Sequence, residues 1–143
     1  MKIKTNYPGG KQMAQKRKKV FELWFRLVFK PLIKKRILTA ALRPGNRIFP
    51  SPKGAQVGER VNLRVLLKPG DDSENRPAIL DSLQKPAQII SLIVKPLGQL
   101  AKEDFIGMSP DCQSVEAAKY HLGLIYGKIF TEEDLITLIR WKY

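Results

Sequence analysis

Acidic residues are almost missing from the first 64 positions of this 143-residue chain, where Glu22 and Glu59 stand against 17 Lys and Arg. That half is formally +15, whereas residues 65–143, with 9 Lys and Arg and 11 Asp and Glu, are −2. So lopsided a field repels itself and asks for a polyanion as countercharge, of which nucleic acid is the commonest. Cysteine is as scarce. Cys112 stands alone, which excludes an intramolecular disulfide and favours a reducing compartment. With His121 as the single histidine, the four ligands of a structural zinc site cannot be assembled from Cys and His. No apolar run approaches the ~18 residues of a spanning helix. Lys16-Arg17-Lys18-Lys19 followed by residues 20–29 imitates a secretory leader, but Glu22 and Arg26 break the apolar run and no small-residue cleavage site follows closely. The expected location is cytoplasmic, with no membrane contact. No phosphate-cradling glycine loop or dinucleotide fingerprint is present, and no cofactor is expected.

What is there suffices for a core. Hydrophobic residues make up 43% of the chain, and its length suits one domain. Residues 1–19 carry seven Lys and Arg, no acid and a Pro8-Gly9-Gly10 break, the composition of a flexible basic arm. Residues 20–143 form the folded domain. Residues 20–29 suit a strand by composition, yet Phe21, Trp24, Phe25 and Val28 also fall at helical spacing, so the pattern leaves both open. Residues 31–37 suit a short helix with proline in its first turn, and 38–42 a short extended segment ended by Arg43-Pro44-Gly45-Asn46. A Pro- and Gly-rich loop over 44–58 carries Arg47 and Lys53. Val61, Leu63, Val65 and Leu67 alternate as a half-buried strand. Residues 68–85 read as a polar surface loop, and 87–95 as a strand buried on both faces and ended by Pro96. Residues 100–105 make a short helical turn. Asp111 or Ser114 caps a helix whose apolar stripe is Val115, Ala118, Leu122, Ile125 and Tyr126, and 135–143 close the fold as a strand. The order predicts an α+β fold: a small mixed β-barrel with two or three helices.

Four pieces in order carry a family resemblance: Ile33-Lys34-Lys35-Arg36-Ile37-Leu38-Thr39-Ala40-Ala41-Leu42-Arg43, then Val57-Gly58-Glu59-Arg60-Val61, then Leu100-Ala101-Lys102-Glu103-Asp104-Phe105, and the helix with Tyr126 before Thr131 and a last Ile139-Arg140-Trp141 strand. Over residues 20–143 the chain resembles the ASCH family of PUA-like β-barrels. That resemblance implies an RNA-facing cleft beside the first piece. Some members bind RNA, some cleave it, and small bacterial members hydrolyse acetylated cytidine with a Lys, a Thr and a Glu. Laid residue by residue, the family's Lys falls on Leu38, its catalytic Thr on Ala41 and its Glu near Ser91; only Arg43 and the non-catalytic Thr39 match, and Gly58-Glu59 replaces the usual Gly-Asp. Leucine and alanine can neither carry a proton nor attack, so the pocket reads as scaffold without the hydrolase chemistry.

Three functions remain open from sequence. The first is a non-catalytic RNA-binding module, a subunit or accessory factor of a ribonucleoprotein. Lys34, Lys35, Arg36, Arg43, Arg47 and Lys53 would line its cleft, and Lys16, Arg17, Lys18 and Lys19 would add phosphate contacts from the arm. The second is a ribonuclease or nucleoside amidohydrolase with rearranged groups. The third is a DNA- or protein-docking accessory factor. Cys112 and His121, placed on one helix nine residues apart, would be too distant to act as nucleophile and base. Trp24, Phe25 and Phe29 read first as core, with base stacking as the lesser reading.

Overall fold

The ambiguity over residues 20–29 is settled by which side chains are buried. In β1 (Phe21–Arg26), Leu23 and Phe25 point inward while Glu22, Trp24 and Arg26 point out. That period of two belongs to a strand with one wet face. The computed structural model describes residues 20–143. The expected arm, with Lys16, Arg17, Lys18 and Lys19, lies outside the described residues.

A 3₁₀ turn (Leu27–Phe29) leads into α1 (Lys30–Lys34), with Pro31 in its first turn where the missing N–H costs nothing. Arg36, at φ 62°, turns the chain out of the helix. Then follow β2 (Ala40–Pro44), β3 (Arg60–Lys68) and β4 (Ile79–Pro96). Next come 3₁₀ turns at Leu97–Gln99 and Lys102–Phe105, then α2 (Val115–Tyr126) and β5 (Leu135–Lys142). Ser114 rather than Asp111 caps α2, its side chain accepting from Ala117 N at 3.0 Å, and Gly127 ends the helix at φ 66°.

The loop expected over 68–85 is a hairpin. After a 3₁₀ turn (Asp72–Glu74), β4 begins at Ile79 and runs for 18 residues. Its polar first half is masked in sequence because it pairs with the exposed end of β3 and has little apolar surface to bury. The second half is not buried on both faces as expected: Ile90 and Ile93 are 48% and 42% exposed. β4 divides its pairing, with β3 over 79–88 and with β5 over 88–96. Pro86 sits where one edge of β4 carries no partner strand, a kind of place where a strand tolerates it.

The sheet order is β1-β3-β4-β5-β2, all antiparallel except the parallel β1–β3 pair. The fold is α+β as expected, but the barrel is not closed. β1 and β2 are edge strands with no ladder between them. The sheet curls around one core cluster that includes Leu23, Phe25, Ile33, Val61, Leu63, Val65, Ile89, Ile139 and Trp141. The opposite residues of β5 and β2, Ile136, Leu138, Ala40 and Leu42, pack against α2 and the turns before it. β5 is therefore buried on both faces. The stripe expected on α2 is buried only in part: Ala118 and Leu122 are covered, while Ile125 and Tyr126 are 43% and 42% exposed. Among the described residues no helix is long and apolar enough to cross a membrane.

Candidate nucleic-acid interface

A curled sheet without a closing ladder leaves a seam between its first and last strands. Here β1 and β2 are bridged by one side chain. The Arg43 guanidinium leaves β2, donates Nη2 to the Trp24 carbonyl of β1 at 3.0 Å, donates Nη1 to the Leu42 carbonyl at 2.9 Å and lies over the Phe25 ring at 4.9 Å. Burial lowers its pKa from the ordinary value, as does the nearby charge of Arg47, while Tyr126 raises it. An arginine stays protonated through such shifts, so a cation is held in the seam. Arg43 was expected to line the cleft; its hydrogen bonds go to the backbone of both edge strands.

Beside this latch runs an open groove of about 1030 Å³. Arg43, Arg47 and Lys53 line it together with Trp24, Asn62, Gln84 and Tyr126. Arg47 and Lys53 reach it because the loop after β2 is tied down. Thr137 of β5, fully buried, donates its hydroxyl to the Gly45 carbonyl at 2.6 Å and accepts from Arg47 N at 2.8 Å. Arg47 Nε donates to the Pro44 carbonyl at 3.0 Å, and a bridge between Ile48 and Ala55 folds the loop back on itself. Some cations elsewhere on the domain are paired, as in Lys30–Asp81 at 3.1 Å and Lys95–Asp104 at 2.9 Å, while others such as Lys34 and Lys35 have no ion-pair partner among the described residues. Arg47 and Lys53 have no carboxylate partner among the described residues. The one acid in the groove, Glu22, is neutralised by Arg64 at 3.2 Å.

The six expected cleft cations therefore divide. Arg43, Arg47 and Lys53 share the groove. Lys34, Lys35 and Arg36 are exposed at the end of α1 and do not line it. They follow a helix that packs Ile33 into the core, and Arg36 turns toward Tyr143, whose pKa its charge lowers against the larger upward push of burial. Sequence reasoning passed over Thr137, read Tyr126 as part of the apolar stripe of α2, and kept base stacking by Trp24 as the lesser reading. The alternation Glu22, Trp24, Arg26 was the signal for the last.

A second, smaller cavity of about 50 Å³ lies between β2 and α2. Leu38 and Ala41 line it and are 3% and 7% exposed. Cys112 and His121 also face it. The sequence placed these two on one helix; in the structure α2 starts after Cys112, and both residues line this cavity. The thiol is not activated. Burial, with the charge of Asp111, pushes the thiol up to about 11, the opposite of an activated nucleophile. Its Sγ contacts Met108 Sδ at 3.8 Å. His121 Nδ1 faces Asp111 at 3.6 Å, while Nε2 is buried without a partner and burial lowers the ring's pKa. Among the described residues no group of three His, Cys, Asp or Glu is placed to hold a metal ion.

No family model and no curated protein matches the chain. Among solved structures it is similar to the ASCH domain from Lactobacillus crispatus JV V101, at 18% identity over 80% of this chain and 69% of that one, with a TM-score of 0.49.

Proposed function

We propose that this protein is a non-catalytic RNA-binding module that holds the phosphate backbone along the β1–β2 seam, as a subunit or accessory factor of a ribonucleoprotein. The observation that carries the reading is the convergence of Arg43, Arg47 and Lys53 on one open groove, two of them without a carboxylate partner among the described residues. Unpaired cations along a groove are what a phosphate chain requires, and the formal +15 of residues 1–64 supplies the longer-range attraction. The absence of a proton carrier at Leu38 and Ala41, and the neutral thiol of Cys112, argue for binding without turnover.

The test is purification at low salt followed by nuclease digestion. Co-purifying nucleic acid that RNase removes and DNase leaves is the expected result. Nucleic acid removed only by DNase, or none at all together with no binding of added RNA, overturns the reading in favour of a DNA- or protein-docking role.

A further inference from the structure

Trp24 is the least expected side chain in the groove. It belongs to a run of aromatic and aliphatic residues of which Leu23, Phe25 and Phe29 enter the core, while Trp24 is 45% exposed and lines the groove. It is also held in place. The indole Nε1–H donates to Glu22 Oε1 at 2.9 Å, and the other oxygen of that carboxylate, Oε2, accepts from Arg64 Nη1 at 3.2 Å. Arg64 lies directly across from Trp24 in the β1–β3 register and donates its Nη2 to the Asp81 carbonyl at 3.3 Å. An exposed indole whose one polar atom is already satisfied offers an aromatic face for stacking and no donor to misdirect a ligand. Next to it, Asn62 and Gln84 are joined by a 2.8 Å hydrogen bond that leaves each amide with unused hydrogen-bonding capacity. The same groove holds Arg47 and Lys53, neither with a carboxylate partner among the described residues.

An anchored aromatic face, side-chain amides and a row of cations within one groove form the combination that takes unpaired bases, with phosphates along the cations and a base on the ring. A duplex keeps its bases stacked on each other and cannot use the indole. Resting on the RNA-binding reading above, we infer that the groove is specific for single-stranded RNA, one base of which stacks on Trp24, with Glu22 and Arg64 as positioning residues for the ring.

The experiment is a titration of the full chain with a 12-nucleotide single-stranded RNA and with a 12-base-pair RNA duplex, following both the RNA's anisotropy and tryptophan fluorescence. The chain has two tryptophans, and Trp141 is buried with its Nε1 bonded to the Leu38 carbonyl, so quenching on binding reports Trp24. The single strand is expected to bind more tightly than the duplex and to quench the emission. Trp24→Phe, which keeps a ring, is expected to bind but to lose the quench. Trp24→Ala is expected to weaken single-strand binding by roughly 5- to 150-fold, the worth of one base on an aromatic ring. Arg64→Met, which frees Glu22, is expected to weaken single-strand binding less than Trp24→Ala does and to reduce the quench. Equal binding of strand and duplex, or binding of the strand without a quench, overturns the stacking inference and leaves the groove as a phosphate site. No binding of either RNA overturns the groove reading itself, and the inference falls with it.

Discussion

Arg43 illustrates how a residue that stands out in sequence can hold contacts that the sequence does not show. Its position beside a Pro- and Gly-rich loop was plain, and it does line the groove. What sequence could not show is that the curled sheet brings the Trp24 carbonyl within 3.0 Å of its guanidinium. A fork that bonds two carbonyls and covers an aromatic ring is not replaced by an ammonium. Arg43→Lys is expected to cost about 1–2 kcal/mol, lowering the melting temperature by roughly 4–8 °C, while the charge it retains limits the loss of RNA affinity. Thermal melts and RNA titrations of the same preparation separate the two effects. Leu38 and Ala41 are the complementary case. Their chemistry was readable from residue type alone, and the structure adds that both side chains are covered. The pure protein is expected to leave acetylated cytidine intact, checked by chromatography of the nucleoside after incubation; turnover abolished by a substitution in this cavity would contradict it.

At the scale of elements, strands with one apolar face announced themselves. Alternation marked β3, and the proline and capping signals marked α1 and α2. The first half of β4 did not, because a strand that extends a hairpin over solvent has no apolar period to read. The loop after β2 was recognisable as a loop, but its order depends on Thr137, ninety residues away from Arg47 in the chain. No local pattern reveals such a contact. Thr137→Val preserves the shape of that side chain and removes its hydroxyl, stranding the Gly45 carbonyl and the Arg47 N–H in a buried place. A cost of about 2–4 kcal/mol is expected, together with weaker RNA binding as Arg47 and Lys53 lose their fixed position. Hydrogen exchange of the Arg47 amide would read the loosening directly.

For the whole molecule, charge was the most legible property and its pairing the least. The composition placed the positive field in the first 64 residues; only the fold distinguishes cations spent on carboxylates from those left free. The same pairing sets the response to acid. Asp81, held chiefly by the Leu83 N–H and then by Lys30, has a folded pKa below the ordinary 3.8. In Asp104 burial pushes the value up, but the Ala101 N–H and Lys95 outweigh it and the result is again lowered. Depressed carboxylates stabilise the fold above their unfolded values, and that stability is lost as pH falls below about 3.8 through the folded values. His121 adds an earlier step. Burial lowers its folded value, so the unfolded chain takes the proton first and stability starts to decline as pH drops below 6.5. Melting temperatures from pH 8 to pH 2 are expected to show both declines, and His121→Gln to remove the first alone.

The central claim is that Arg47 and Lys53 face phosphates. The measurement is RNA affinity as a function of salt for the full chain and for an Arg47→Gln, Lys53→Gln double variant. Each phosphate contact to a single strand contributes about 0.7 to the slope of log affinity on log salt, so the double variant is expected to lose about 1.4 while its melting temperature changes little. A slope equal to that of the parent protein, with the fold intact, would place the RNA elsewhere and contradict the account.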